Sequence, residues 1–286
     1  MSDEASTGSV LVLNASKLLS AAGVPDAARD ARRLFAYATG VATSRLALTL
    51  PDLVTANEAD TFEALIARRQ DREPVSHIVG AREFYGRNFL VTPDVLDPRP
   101  ETETLIEVAL KSDFSQMIDL GTGSGCILVT LLAERPNGYG IGVDLSSAAL
   151  SVAKQNSQTH SVADRASFQC GDWLTGIRGH FDLIVANPPY VSVAEMGGLS
   201  PEVVQWEPQM ALTDNADGLT HYRQIVRQAV PLLLPNGRLI FEIGPTQGAA
   251  VSQMMIDEGL CRVQVNLDLD GRERVVSAQH ADFILS

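Results

Sequence analysis

The chain is 286 residues long, 45% hydrophobic and 20% charged, with 22 Lys and Arg against 35 Asp and Glu, a formal net charge of −13. That length allows one large domain or two smaller ones, and the composition is that of an ordinary globular protein. Affinity for polyphosphates comes mainly from Lys and Arg, so so acidic a chain is a poor electrostatic partner for nucleic acid.

The N-terminus, Met1 to Gly8, is polar with Asp3 and Glu4 and lacks the basic start of a signal peptide. No apolar run nears the ~20 residues of a membrane span. Cys126, Cys170 and Cys261 are odd in number and far apart, without zinc spacing or a disulfide framework. They are expected as small buried residues in a reducing compartment, which makes the protein cytoplasmic, and no metal site is expected.

Residues 10–72 read as helical. Leu11, Leu18 and Leu19 form a stripe, Ala27 to Ala38 is rich in Ala and Arg, and Asn57 can cap a helix from Glu58 to Gln70. The set predicts a small helical bundle without a catalytic constellation, over residues 1–73. Residues 74–100 hold short extended pieces, Val75 to Val79 and Glu83 to Val91, broken by Gly80, Gly86 and Asn88, and predict a hairpin-like linker. The run Pro98-Arg99-Pro100-Glu101-Thr102-Glu103 follows, with Thr102 or Thr104 placed to cap a helix through Lys111. Those charges serve either that helix entry or a loop covering a ligand.

From 101 to 286 strands and helices alternate. Strands are read at 117–120, 140–143, 167–170, 183–186 and 238–242, helices at 125–133, 147–156, 219–234 and 247–258. A closing pair, 262–267 and 274–278, is joined through Asp270-Gly271. Alternation predicts an α/β, Rossmann-like doubly wound sheet, mostly parallel, with an antiparallel edge strand from the closing pair.

Gly121-Thr122-Gly123-Ser124-Gly125 sits where the first of these strands turns into its helix. A dinucleotide site needs G-x-G-x-x-G, with pyrophosphate on the helix N-terminus. Here the spacing is G-x-G-x-G, with Cys126 in place of the last glycine and the carboxylate of Asp119 close by. Both features fit a cationic, phosphate-free ligand such as S-adenosylmethionine better than a nicotinamide. Asp144 ends the next strand, placed for the ribose hydroxyls. Asp172-Trp173 follows the third and offers an acceptor for the adenine amino group and an aromatic wall.

The apolar run Leu183 to Ala186 is cut by Asn187-Pro188-Pro189-Tyr190. Pro cannot donate to a ladder and biases the residue before it towards an extended conformation, so a buried strand ends here in a stiff loop. The Asn187 amide oxygen and the Pro188 carbonyl offer two acceptors, and Tyr190 a ring. That set suits holding a planar amino group. Five scattered histidines form no nucleophile or metal pattern, so positioning must carry the chemistry.

With its helical N-terminal region, Pro98 to Glu103, Asp119 to Gly125, Asp144, Asp172-Trp173, Asn187 to Tyr190 and the tail Asp268 to Arg274, the chain resembles the PrmC/HemK family of protein-(glutamine-N5) methyltransferases. The resemblance implies a class I S-adenosylmethionine-dependent methyltransferase that modifies the Gly-Gly-Gln glutamine of peptide chain release factors; a monomer is expected. It further implies cofactor contacts from Gly121, Thr122, Gly123, Ser124, Gly125, Asp144, Trp173 and Asn187, and a glutamine held by Asn187, Pro188, Pro189 and Tyr190. The Asn-Pro-Pro-Tyr loop alone also fits enzymes that methylate adenine or guanine amino groups, and the glycine loop leaves a nicotinamide oxidoreductase as a remoter alternative.

Overall fold

The structure is a computed structural model that describes residues 6–281; Asp3 and Glu4 lie outside the described residues. The chain opens with α1 (Gly8–Ala21), α2 (Ala27–Thr39), α3 (Leu46–Thr49) and α4 (Ala56–Gln70). α1 buries Val12, Ala15 and Leu19, while Leu18 is 50% exposed, so the apolar stripe is rotated from the Leu11, Leu18, Leu19 reading. α4 is capped by Thr55 and not by Asn57. The Thr55 N–H donates to the Glu58 carboxylate at 2.9 Å and the Glu58 N–H donates to the Thr55 hydroxyl at 3.3 Å, a reciprocal capping box. α5 (Val75–Val79), expected as an extended piece, is a short helix ended by Gly80 at φ 70°. Val75 and Ile78 are buried in the core of this region, and that packing overrides a weak local propensity.

A hairpin follows, β1 (Ala81–Phe84) and β2 (Arg87–Leu90), paired through the two-residue turn Tyr85-Gly86. Both turn residues have positive φ, 48° and 70°, the twist that suits antiparallel strands. Then come α6 (Glu103–Leu110), β3 (Gln116–Leu120), α7 (Cys126–Glu134), β4 (Tyr139–Asp144), α8 (Ser147–Thr159), β5 (Ala166–Cys170) and β6 (Phe181–Ala186). After a long irregular stretch containing α9 (Pro201–Trp206), the chain closes with α10 (Thr220–Ala229), β7 (Leu233–Glu242), α11 (Gly248–Asp257), β8 (Cys261–Leu267) and β9 (Glu273–Gln279). The helix expected over 219–234 stops at Ala229; β7 begins as early as Leu233, just after Pro231.

Two compact units result: residues 1–80 with 200–206, and residues 81–199 with 207–286. The first is helical, packed around Leu19, Leu34, Phe35 and Phe62, whose rings Phe35 and Phe62 meet edge to face at 5.2 Å. Within it, buried Arg69 donates to Asp30 at 2.8 Å and to Glu202 at 2.9 Å, and Arg72 donates to Glu202 at 2.8 and 2.7 Å. Burial works against charge on Glu202, but Arg72 and Arg69 hold its carboxyl at about 2.

The second unit is a seven-stranded sheet in the order β5-β4-β3-β6-β7-β9-β8, parallel except at β9. Alternate residues of its central strands enter opposite faces. Ile118, Leu120, Ile184 and Ala186 pack with α10 and α11, whereas Met117, Leu183 and Val185 pack with α6 and α7. The chain runs from β3 outward to β5, then returns to the other side of β3 as β6. Between β3 and β6 the winding reverses, and the carboxyl ends of strands at such a reversal form a crevice where ligands bind.

Candidate functional site

Leu120 and Ala186 are register partners at the ends of β3 and β6, so the glycine loop and the Asn187 loop leave the sheet side by side. A cavity of about 260 Å³ opens between them. Of the residues expected at a site, Gly121, Gly123, Asp144, Trp173, Asn187 and Pro189 line it, whereas Thr122, Ser124, Gly125, Asp172, Pro188 and Tyr190 are outside its lining.

The glycine loop shows why. Gly121 and Gly123 take φ of 68° and 54°, a region that L side chains rarely adopt. A Cβ on Gly121 would stand 3.3 Å from the Trp173 ring; one on Gly123 would project into open space, with nothing nearer than 3.9 Å. The residues between them turn inward. The Thr122 hydroxyl donates to Asp119 at 2.7 Å, and Asp119 also accepts the Leu128 N–H of α7 at 3.3 Å. Burial pushes the Asp119 carboxyl up to about 7, so this acid anchors the loop to the helix beneath it. Asn156 of α8, fully buried, donates to the Ser124 carbonyl at 2.8 Å and to Leu90 at 3.1 Å. Gly125, at φ 79°, packs on Ala153, where a Cβ would come within 3.0 Å.

Asp144 at the end of β4 accepts from the Gly123 N–H and the Ser146 N–H, both at 2.9 Å. Each carboxylate oxygen retains acceptor capacity towards the cavity. Asp172 is exposed and accepts from Gln224 at 3.3 Å, away from the cavity. Its neighbour Trp173 does the lining, from a backbone φ of 48°, with its ring 5.0 Å from that of His221. His221, half-buried and held below its usual pKa by burial, lines the same wall.

On the other side of the cavity the Asn187 side chain makes no hydrogen bond to the protein among the described residues. Pro188 is buried, and burial pushes the Tyr190 hydroxyl up to about 12. The Pro98–Glu103 run contributes no lining residue. Arg99 instead donates to both carboxylate oxygens of buried Glu207 at 2.6 and 2.8 Å, beside Pro208 of the wall, while Glu103 accepts the Tyr85 N–H at 2.8 Å.

Sequence reading missed other parts of the wall, among them Asp94, Leu96, Asp214, Asn215 and His221. Asp214 has a local signature in Asp-Asn-Ala-Asp-Gly, because its carboxylate accepts the N–H groups of Ala216, Gly218 and Thr220 at 2.9–3.0 Å. The cysteines divide differently from expectation: Cys126 is buried, its thiol pushed up to about 12 by burial, but Cys170 and Cys261 are exposed on strands at the sheet's margins.

The lining contains three carboxylates, Asp94, Asp144 and Asp214, and neither Lys nor Arg. Such a wall disfavours a pyrophosphate and favours a cation. An adenosyl sulfonium fits it: Asp144 for a vicinal diol, Trp173 for a flat ring, and the space above Gly123 where any side chain would intrude.

Residues 11–80 match the PrmC N-terminal domain model and residues 94–204 the methyltransferase small domain model. The chain is 53% identical to the release factor glutamine methyltransferase of Cereibacter sphaeroides, over 91% of this chain and 94% of that one. It is 43% identical to the enzyme of the same name from Rhodospirillum rubrum (91% and 81%), and 40% identical to that from Nitratidesulfovibrio vulgaris (94% and 94%). Among solved structures, the hMettl16 catalytic domain superposes with a TM-score of 0.59 at 16% identity, over 88% of this chain and 92% of that one. A methyltransferase from Pyrococcus furiosus gives 0.53 at 14% identity (77% and 98%). These two likenesses establish the shared methyltransferase fold. Among the described residues no helix is long and apolar enough to cross a membrane.

Proposed function

The chain belongs to the family of release factor glutamine methyltransferases, and from that premise we propose that it methylates the side-chain nitrogen of the Gly-Gly-Gln glutamine of a peptide chain release factor, with S-adenosylmethionine held in the 260 Å³ cavity. The observation that carries the cofactor assignment is the cavity's charge: three aspartates and no cation in its lining. When bound there, S-adenosylmethionine supplies an electrophilic methyl group beside the Asn187 loop.

The residues then have distinct tasks. Asp144 accepts from the ribose hydroxyls, and Trp173 closes one wall against the adenine. Asn187 Oδ1 and the Pro188 carbonyl accept the two hydrogens of the substrate amide. An amide lone pair is delocalised into its carbonyl, so a free glutamine side chain is a poor nucleophile. Two acceptors on its N–H groups raise electron density on nitrogen and fix its direction, and positioning of this kind supplies ~7–11 kcal/mol in favourable cases. Tyr190, whose hydroxyl stays protonated, packs on the amide plane and excludes water. Transfer would form the N–CH₃ bond at the expense of the donor's S–CH₃ bond, leaving a neutral thioether, and one amide proton, held by the Asn187 or Pro188 oxygen, would pass to solvent as the product leaves.

The test is mass spectrometry of a release factor incubated with the enzyme and S-adenosylmethionine. One added methyl group on the Gly-Gly-Gln peptide is expected. An unmodified peptide, or methylation that persists when that glutamine is replaced by asparagine, refutes the substrate assignment.

A further inference from the structure

Gln247 lies just past β7, outside the cavity lining, yet its side-chain amide ties together the segments that form both sides of the cavity. Its Nε2 donates to the Tyr190 carbonyl at 3.0 Å and to the Gly218 carbonyl at 3.1 Å. Its Oε1 accepts the Gly244 N–H at 2.9 Å and lies 3.4 Å from the Tyr222 hydroxyl. Both N–H donors of the amide and one of its acceptor lone pairs are thus used, on atoms remote in sequence from it or across a tight turn.

The partners matter more than the number of bonds. Tyr190 closes the Asn187 loop. Gly218 ends the Asp214 turn, whose Asp214 and Asn215 line the cavity and which leads into His221, its ring 5.0 Å from that of Trp173 and tilted 55° to it. The two segments are pressed so closely that a Cβ on Gly218, at φ 78°, would collide with the Tyr190 carbonyl oxygen. Tyr222, fully buried, fixes the other end of the amide by donating to the Glu242 carbonyl at 2.9 Å.

We infer that Gln247 is a positioning residue for methyl transfer: it sets the acceptor loop against the donor wall without touching either reactant. The inference rests on the functional reading above for which wall holds which reactant, but not for the coupling itself. A misplacement of the order of 1 Å at a reacting centre costs on the order of 100-fold in rate, so loosening this joint should act on kcat.

Two variants separate positioning from bulk stability. Gln247→Met removes the hydrogen bonds to Tyr190, Gly218 and Gly244 at similar volume. Gln247→Glu keeps an acceptor but sets a carboxylate against two carbonyl oxygens; protonation returns one donor, so its activity relative to wild type should rise as pH falls. The groups facing this position are Glu242 on β7, Glu273 and Arg274 on β9, Tyr190, Tyr222 and Asp214; all are shared with wild type and with Gln247→Met, whose pH profiles report the titration of these groups without the added carboxylate.

The experiment measures kcat and both KM values on release factor and S-adenosylmethionine from pH 5.5 to 8.5 (roughly the range over which a buried carboxyl would titrate), with hydrogen exchange of peptides spanning 187–193 and 213–221. Expected are a fall in kcat of at least about tenfold with the KM for S-adenosylmethionine within about threefold, recovery of the Glu variant at low pH, and faster exchange in both peptides of the Met variant. Wild-type kcat in both variants, a flat pH ratio, or exchange that rises in only one peptide overturns the inference. Should Gln247→Met not fold, the Glu variant read at its two pH extremes decides within one protein. Should wild type leave the release factor unmodified, the functional reading fails, while the paired exchange still decides the coupling.

Discussion

Asp144→Asn tests the cofactor assignment most directly, because the geometry leaves the asparagine no good orientation. In the native chain Oδ2 accepts from Gly123 and Oδ1 from Ser146, both at 2.9 Å, and both donors are backbone N–H groups. An amide has one oxygen and one NH₂. Whichever way it turns, NH₂ faces an N–H, and one face presented to the ribose changes from acceptor to donor. Hydrogen bonds to a charged partner contribute ~1.5–3 kcal/mol each. Losing one such bond to the ligand weakens S-adenosylmethionine by roughly 10- to 150-fold, at about 1.4 kcal/mol per factor of ten. The lost bond to Gly123 falls mainly on the free protein and should appear as a lower Tm. Calorimetric titration with S-adenosylmethionine and S-adenosylhomocysteine gives the affinities, and steady-state kinetics should place the defect in the KM for cofactor, with the KM for release factor unchanged. An affinity within about threefold of wild type would mean that no diol sits on Asp144, and the cofactor placement would fall with it.

Asn187→Ala should cut kcat by on the order of 100-fold while cofactor affinity changes little, and Tyr190→Phe should retain most of the rate; near-normal turnover in the first, or collapse in the second, would reassign the loop. Glu202→Gln leaves Arg72 without its carboxylate partner and Arg69 with Asp30 alone, and should cost about 3 kcal/mol, read as a lower urea midpoint, since removing one partner of a buried pair leaves the other uncompensated. The wild-type network contributes stability above the unfolded carboxyl pKa of 4.5 and loses it only as pH falls through about 2, so the gap between Glu202→Gln and wild type should persist at pH 4. Glu242 behaves in the opposite sense. Burial raises its carboxyl from 4.5 to about 7, so the native state favours the protonated form and stability is lost as pH rises through that window, by on the order of 3 kcal/mol. Glu242→Gln should therefore flatten the Tm–pH profile between pH 4.5 and 7, and parallel profiles for the two proteins would refute the shift.

What was legible in the sequence was local. The β3–glycine loop–α7 unit and the proline stop after Ala186 are encoded by adjacent residues, and their positions follow from backbone rules alone. Fine errors were local too: Thr55 outcompetes Asn57 because it alone has Glu58 at capping-box spacing, and in Asp172-Trp173 only the tryptophan faces the cavity. Val75–Val79 misled because five residues, two of them polar, are too few to show a period, and burial of Val75 and Ile78 in the helical core decides its state. The rest was hidden by distance along the chain. Asn156 braces Ser124 from 32 positions away, and Gln247 reaches Tyr190 across 57. Neither has neighbours in sequence that announce the contact, and an amide in a polar stretch reads as surface until the fold closes on it.

The distribution of charge around the cavity bears on where rate acceleration arises in the proposed reaction. Positive charge begins on the sulfonium and, as the methyl group transfers, moves towards the amide nitrogen. Carboxylates that only gripped the sulfonium would stabilise the ground state and slow the transfer, because catalysis requires stronger interaction in the transition state. Asp144 and Asp214 are both tied to backbone N–H groups, which fixes their field, and in the proposed reading Asp144 serves the adenosyl part. The Asn187 oxygen and the Pro188 carbonyl, by contrast, are neutral dipoles, which the proposed reading sets against the N–H groups that become more acidic as nitrogen gains charge. Their interaction with the amide strengthens along the reaction coordinate, and it does so without reorganisation because Pro188 and Pro189 hold the loop stiff. A neutral loop facing an acidic cavity thus suits this chemistry better than a carboxylate base in its place would, since a fixed dipole rewards the migrating charge only once it arrives.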